Sequence, residues 1–250
     1  MKQTKLIMGM PITIEIIAHE DSRLLEEVFR FFRDIDDRYS PFKADSEVSR
    51  INARLPESEW SEEMRRILEM CETTKRETAG YFDIERDGKI NPSGLVKGWA
   101  IWKAAGLLRQ SGVGNFYVEA GGDIQTHGKN PEGKPWSVGI RNPFNRNEII
   151  KVLAIQDNKG VATSGTYIRG QHIYNPYRPA EEIADITSLT VIAENVCEAD
   201  RFATAAFAMG NDGIYFIERR EGLEGYMVDN KGIATFTSGF KEYEYAENSR

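Results

Sequence analysis

Apolar and polar positions follow one another along this chain in two rhythms, one typical of strands and one typical of amphipathic helices. Residues 5–18 alternate as in a half-buried strand, whereas residues 21–40 carry apolar side chains at helical spacing. Further helices are predicted at 61–79, 93–111, 196–209 and 211–221, and further strands at 115–128, 134–143, 148–157, 185–194, 222–229 and 232–238. The strands between 115 and 157 read as an antiparallel meander. Because no regular βαβ rhythm is present, the pattern favours an α+β fold over a doubly wound sheet.

The composition is that of an ordinary globular protein. The chain has 250 residues, of which 40% are hydrophobic and 28% charged, enough for a full core. It shows no fixed-period repeat, low-complexity stretch or linker, so we expect residues 1–250 to form a single domain. The net charge of −7, without a run of Lys or Arg, argues against nucleic acid or an anionic membrane as the main partner.

The expected location is the cytoplasm. No stretch has the apolar length needed to cross a bilayer, and the first residues alternate like a strand instead of forming a signal peptide. Cys71 and Cys197 are the two cysteines, which argues against a disulfide framework and fits a reducing compartment.

The helix predicted at 196–209 carries the most informative pair of side chains. Asp200 and Thr204 are four residues apart and therefore lie on one helical face, while Asn195 followed by Glu198 predicts the N-terminal cap. A carboxylate and a hydroxyl together suit Mg²⁺, which prefers oxygen and takes few protein carboxylates. The alternative is structural, with Asp200 as a first-turn acid and Thr204 as a packing residue.

The turn NPSGLVKGWA allows two interpretations as well. Pro92, Ser93 and Gly94 start a helix in an ordinary way. The same turn can direct backbone N–H groups and a helix N-terminus toward a phosphate, with Lys97 adding a positive charge.

Nine short motifs occur along the chain in a recognisable order: MGMPITIEI, YSPFKADSEVSRIN, GYFD, NPSGLVKGWA, EAGGDI, PWSVGIRNP, ATSGTY, HIYNP and EADRFAT. Together they resemble the ApbE family, the FAD:protein FMN transferases, over roughly residues 8–210. The resemblance implies a T-fold-like α+β architecture, with FAD in a cleft between two α/β halves and Mg²⁺ at the pyrophosphate. It also implies that FMN moves from FAD to a Ser or Thr hydroxyl of an acceptor protein and that AMP is released.

The resemblance implies the metal ligands residue by residue. They are Asp200, Thr204 and the main-chain carbonyl of Val96, whose apolar side chain takes no part. The chemistry of the residues agrees, because attack on a pyrophosphate requires that its charge be neutralised and its geometry fixed. Some relatives have a further acid where this chain has Ala203, which leaves open whether one or two metal ions bind.

Contacts to FAD are implied for a larger set of side chains, because flat rings are bound by aromatic residues. The implied contacts are Met8, Phe42, Tyr81, Phe82, Asp83, Ser93, Trp99 and Tyr174, and the hydroxyls of Thr163 and Ser164 are candidates for the ribityl or phosphate chain. Core packing is the alternative for Met8, Phe82 and Trp99. Phe42, in contrast, lies in a polar loop.

His172 is the candidate general base, together with Asp200 in the catalytic set. It begins the motif HIYNP, where the family has a histidine followed by an Asp-Pro step and this chain has Asn175-Pro176. The imidazole would accept the acceptor's proton or steady the phosphate. A purely structural histidine is the alternative.

Three functions stay open on the sequence alone. The leading one is Mg²⁺-dependent FMN transfer; the second is FAD hydrolysis to FMN and AMP; the third is FAD binding without catalysis. The third function is supported by departures from the family, since relatives have an acid where this chain has Asn91, Asn175 and Ala203. The retained Asp200, Thr204 and His172 favour chemistry instead. No P-loop, dinucleotide-binding glycine motif, zinc spacing or nucleophile elbow supports another common reaction.

Overall fold

A computed structural model of the chain describes residues 1–18, 22–145, 147–156, 158–166 and 173–245. Its helices are α1 (Ser22–Tyr39), α2 (Glu47–Asn52), α3 (Glu62–Glu77), α4 (Ser93–Gln110), α5 (Val196–Ala208) and α6 (Gly213–Glu218). Its strands are β1 (Lys2–Ile7), β2 (Met10–Ile16), β3 (Glu85–Arg86), β4 (Lys89–Ile90), β5 (Phe116–Ala120), β6 (Asp123–His127), β7 (Trp136–Arg141), β8 (Ile149–Ile155), β9 (Gly160–Gly165), β10 (Ile186–Ala193), β11 (Glu224–Asp229) and β12 (Ala234–Phe236). None of the described helices is long and apolar enough to cross a membrane.

An eight-stranded antiparallel sheet organises the chain, in the order β1-β2-β5-β6-β9-β10-β11-β12. Helices α1, α3 and α4 pack on the half formed by β1, β2 and β5. Helices α5 and α6 pack on the half formed by β9, β10 and β11. The two halves meet where β6 pairs with β9, and where α4 lies against α5.

Alternation along the strands of the second half explains how both faces of its sheet are buried. Leu189 and Val191 of β10 face the helices, whereas Ile192 faces a separate hairpin made of β7 and β8. Successive side chains of a strand point to opposite faces, so strand β10 contributes to two cores at once. Seven of its eight residues are buried.

The contact between α4 and α5 depends on glycine. A Cβ added at Gly98 of α4 would lie 2.6 Å from the Asp200 Cβ and 2.8 Å from the carbonyl oxygen of Val196. Because such distances are too short for real contacts, only glycine lets the two helices approach this closely. This approach brings the first turns of α4 to the buried face of α5.

The predicted α+β class is confirmed, and the four long helices lie within two residues of their predicted bounds.

The single strand predicted at 5–18 is wrong, because the chain reverses at Met8 and Gly9, which have φ values of 56° and 69°. The segment 115–128 is likewise a hairpin, turning at Gly121 and Gly122. The meander is also wrong in part, since β7 and β8 leave the main sheet and β6 pairs with β9. The predicted helix at 211–221 is a 3-10 turn followed by the shorter α6.

Candidate active site

A cavity of about 250 Å³ lies where the two halves of the fold meet. Its walls come from the start of α4, the buried face of α5, the end of β9, the β5–β6 turn and the segment before β3. The lining residues are Tyr81, Phe82, Asp83, Ile84, Arg86, Asn91, Ser93, Gly94, Lys97, Gly121, Thr163, Ser164, Gly165, Ile173, Tyr174, Asp200 and Thr204. The cavity is smaller than the roughly 300–1,000 Å³ that is usual for a site that binds a drug-sized ligand.

Helix α5 supplies Asp200 and Thr204 to this cavity. The helix begins as the sequence predicts, because the Asn195 side chain accepts a hydrogen bond from the backbone N–H of Glu198 at 3.0 Å. Asp200 is only 2% exposed, whereas Thr204 is partly exposed. Both side chains face α4, since a Cβ added at Gly94 would lie 3.2 Å from the Thr204 methyl group.

The Asp200 carboxylate is held from the α4 side. Its Oδ2 accepts a hydrogen bond from the backbone N–H of Gly98 at 2.8 Å, and its Oδ1 lies 3.3 Å from Lys97 Nζ. Burial raises the pKa of Asp200 well above its usual range; the Lys97 ammonium opposes this rise and the nearby Asp123 carboxylate adds to it.

Asp123 completes a cluster of three charges that sequence reasoning missed. Its side chain is 1% exposed, and its Oδ2 lies 2.5 Å from Lys97 Nζ in a geometry that makes an ion pair but no hydrogen bond. Its Oδ1 accepts the backbone N–H of Thr163 at 3.0 Å. The motif EAGGDI contains this residue, but no local signal links it to Lys97.

Tyr174 stabilises the opposite wall of the cavity by hydrogen bonding to the backbone. Its single hydroxyl proton is shared between the carbonyl oxygens of Asp83 at 3.2 Å and Glu85 at 2.9 Å, and the Arg86 guanidinium lies 4.8 Å from the centre of its ring. Burial raises the pKa of the Tyr174 hydroxyl, which keeps it protonated as a donor. Nearby, the backbone N–H of Phe82 donates to Thr78 Oγ1 at 3.0 Å.

Asn91 lies two residues before the first residue of α4 and hydrogen-bonds to that residue. Its side-chain oxygen accepts from the backbone N–H of Ser93 at 3.2 Å and from Ser93 Oγ at 2.5 Å. The amide oxygen therefore accepts both hydrogen bonds without carrying a charge.

Most of the predicted site residues meet in this cavity, and some do not. Those that line it are Tyr81, Phe82, Asp83, Ser93, Thr163, Ser164, Tyr174, Asp200 and Thr204. Phe42 does not, because it is 92% exposed in the loop between α1 and α2. Trp99 is buried in the core, edge to face with Tyr39 at 6.2 Å, since its position on α4 faces α1. Met8 lies in the β1–β2 turn and packs against the same core.

The predictions for Val96 and His172 do not concern side chains that the structure places in the cavity. The Val96 side chain is buried in the core, and the prediction at this position concerns only its carbonyl, which belongs to α4. His172 lies outside the described residues, directly before the cavity residue Ile173.

The oxygen atoms at the cavity fit a small, hard cation. Within the described ranges no group of three or more His, Cys, Asp and Glu side chains could hold a metal ion. The buried Asp200 carboxylate beside the Thr204 hydroxyl nevertheless offers the oxygen donors that Mg²⁺ prefers, and Mg²⁺ uses few protein carboxylates.

A second cavity, of about 850 Å³, lies between α5, α6 and the end of α3. Three of its charged side chains are paired with one another, because Arg201 lies 2.5 Å from Glu198 and also contacts Glu77. We therefore take the first cavity, where a buried carboxylate meets hydroxyls and a helix start, as the candidate active site.

Comparisons with known proteins show which family the chain is similar to. The family model described as ApbE family matches residues 8–88 and 84–227. Curated proteins named FAD:protein FMN transferase are similar to the chain: that of Salmonella typhimurium is 30% identical over 164 residues, and that of Haemophilus influenzae 32% identical over 169 residues. These matches cover 62% and 61% of this chain but 45% and 48% of the relatives, so the chain spans about half the length of the curated relatives it matches.

Two solved structures share the fold. The flavin transferase ApbE from Vibrio cholerae superposes with a TM-score of 0.85 at 23% identity, over 97% of this chain and 98% of that one. An ApbE protein from Thermotoga maritima superposes with a TM-score of 0.87 at 22% identity, over 98% and 99%. With the family model matching most of its length, the chain belongs to the ApbE family.

Proposed function

We propose that this protein transfers FMN from FAD to a Ser or Thr hydroxyl of an acceptor protein and releases AMP. The observation that carries the proposal is the convergence of Asp200, Thr204 and the start of α4 on one cavity. The name FAD:protein FMN transferase, borne by the similar curated proteins, supports the same reaction.

The metal in this proposal is Mg²⁺. Asp200, Thr204 and the Val96 carbonyl would hold it, and when bound it would neutralise the pyrophosphate of FAD and fix its geometry. Asp200 suits this role because it is already oriented by the Gly98 N–H and therefore needs little reorganisation.

The remaining lining residues suit FAD. Tyr81, Phe82 and Tyr174 offer aromatic surface for a ring. The backbone N–H groups at the start of α4 favour a phosphate, as does the partial positive charge of the helix N-terminus. Thr163 and Ser164, at the end of β9, offer hydroxyls to the ribityl or phosphate chain.

The transfer step balances as a substitution at phosphorus. The acceptor oxygen forms a bond to the phosphorus of the FMN half, and the bond from that phosphorus to the bridging oxygen breaks, so that AMP leaves with the electron pair. The hydroxyl proton passes to a base, for which His172 stays the predicted residue.

The test is to incubate the protein with FAD, MgCl₂ and a protein domain that carries a Ser/Thr flavinylation site. We expect an FMN-sized mass increase on the acceptor, matched by an equal amount of AMP. Free FMN and AMP formed without acceptor would establish a pyrophosphatase instead. Bound FAD without any AMP would leave a binding protein.

A further inference from the structure

Lys97 lies between two buried carboxylates, and the two contacts are unequal. Its Nζ lies 2.5 Å from Asp123 Oδ2 and 3.3 Å from Asp200 Oδ1, and the lysine side chain is 19% exposed. An ammonium beside a metal-binding carboxylate competes with the cation for the same negative charge. The side chain that determines where this ammonium sits therefore also determines how open Asp200 is to a metal.

Asp123 has a fixed position from which its carboxylate can determine where the Lys97 ammonium lies. It is the first residue of β6, directly after the Gly121–Gly122 turn, and its side chain is 1% exposed. The backbone N–H of Thr163 on the neighbouring β9 donates to its Oδ1, which leaves Oδ2 directed at Lys97. The carboxylate is thus fixed by the junction of the two halves of the sheet.

We propose that Asp123 is a positioning residue that draws the Lys97 ammonium to 2.5 Å from its own carboxylate, leaving it 3.3 Å from Asp200, and so keeps Asp200 available to a divalent cation. This inference rests on the proposed function. Asp200 with Lys97 alone would form a neutral pair with little attraction for a cation. With Asp123 included, the three groups carry one net negative charge. The closer ion pair of Lys97 is then the one with Asp123, not the one with Asp200.

A simpler effect would also link Asp123 to metal binding, because any nearby carboxylate attracts a cation through space. The two explanations differ in how they depend on Lys97. Attraction through space persists when the lysine is removed, whereas positioning of the lysine requires that the lysine be present. A double-mutant cycle separates them.

The experiment titrates the full chain with Mn²⁺, a spectroscopic substitute for Mg²⁺, and follows free Mn²⁺ by electron paramagnetic resonance. We expect Asp123→Asn to weaken Mn²⁺ binding by about 10–100-fold, the usual effect of losing a group that orients metal ligands. In a Lys97→Met background the same change should weaken binding by less than about 3-fold, so that Lys97→Met rescues Asp123→Asn. Asp34→Asn, an exposed residue of α1, is the control for net charge.

Three results would overturn the inference. Wild-type affinity in Asp123→Asn would show that Asp123 does not act on the site. An equal loss with and without Lys97 would assign the effect to attraction through space. If Asp123→Asn does not fold, as judged by circular dichroism, the same cycle is run with Asp123→Ser, and a loss of equal size with and without Lys97 would overturn the inference.

The same titration separates this inference from the proposed function. Suppose that the wild-type protein binds Mn²⁺ and transfers FMN, and that Asp123→Asn binds Mn²⁺ equally well. This result would contradict the role of Asp123 and leave the proposed function standing. A wild-type protein that binds no Mn²⁺ with or without FAD would remove the proposed metal site itself.

Discussion

Asp200 is a buried carboxylate whose loss should affect metal binding more than folding. In Asp200→Asn the amide oxygen can still accept the Gly98 N–H, and the Lys97–Asp123 pair stays balanced. We therefore expect a cooperative thermal transition close to that of the wild type. Mn²⁺ binding should weaken by at least about 10²-fold, since even groups that only orient ligands change affinity by 10–100-fold. A variant that no longer unfolds cooperatively would favour the structural interpretation of Asp200.

His172 gives a second prediction at the scale of single residues. His172→Ala should slow transfer to the acceptor by about 10²–10⁴-fold if the imidazole is the general base, with the dissociation constant of FAD little changed. Single-turnover AMP release measures the first quantity and flavin fluorescence the second. His127→Ala is a control from outside the cavity. A loss of FAD affinity that accounts for the whole rate effect would argue against the base.

Some residue-level features could be predicted from the sequence and others could not. The spacing of Asp200 and Thr204 predicted a common helical face, and both line the cavity, because that relation is local. The partnership of Lys97 with Asp123 depends on how β6 and β9 pair, which no local pattern contains. The position of Trp99 is likewise not local information, since a motif match does not say which side of α4 faces the core, and its contact with FAD stays a prediction.

At the scale of elements, the packing of α4 on α5 depends on Gly98. Gly98→Ala would place a methyl group 2.6 Å from the Asp200 Cβ, so we expect it to lower the free energy of unfolding by about 1–3 kcal/mol. Gly106→Ala is the matched control, because it lies on the same helix with nothing within 4 Å of the added atom. Its greater helix propensity should raise stability by up to about 1 kcal/mol. Equal urea midpoints for the two variants would contradict this account.

The Tyr174 hydroxyl gives a second prediction at this scale, because it ties the segment after residue 172 to the residues around β3. Tyr174→Phe removes the hydrogen bond shared by the carbonyl oxygens of Asp83 and Glu85 but keeps the aromatic ring. At about 1 kcal/mol for such a tether, we expect FAD affinity to fall by about 5-fold. Tyr215→Phe, on the exposed side of α6, should leave the affinity unchanged. Fluorescence titration with FAD measures both variants.

The strand predictions failed where the chain turns. The Asn-Gly and Asp-Gly pairs that mark tight hairpins are missing from the β1–β2 turn, where Met8 adopts a positive φ. The long helices were predicted well because their apolar spacing extends over several turns.

At the scale of the whole molecule, Arg201 links the two halves. From α5 it pairs with Glu198 and reaches Glu77 on α3, and its side chain is only 11% exposed. Arg201→Met keeps most of the volume but leaves both acids without this partner, so we expect a loss of about 1–3 kcal/mol in unfolding free energy. Arg66→Met, which breaks an exposed pair with Glu62, should change stability by less than about 0.5 kcal/mol. Comparable losses in urea denaturation would remove the special role of Arg201.

The position of the candidate site at the junction of the halves also has a consequence for biosynthesis. Lys97 and Asp123 leave the ribosome well before Asp200 and Thr204, and the sheet half built from β1, β2 and β5 is complete before α5 is translated. Domains fold as units during synthesis, and contacts between distant segments form slowly. Until α5 emerges, the first turns of α4 and the Lys97–Asp123 pair lack the helix that packs against them in the folded chain, so the candidate site is completed only late in synthesis.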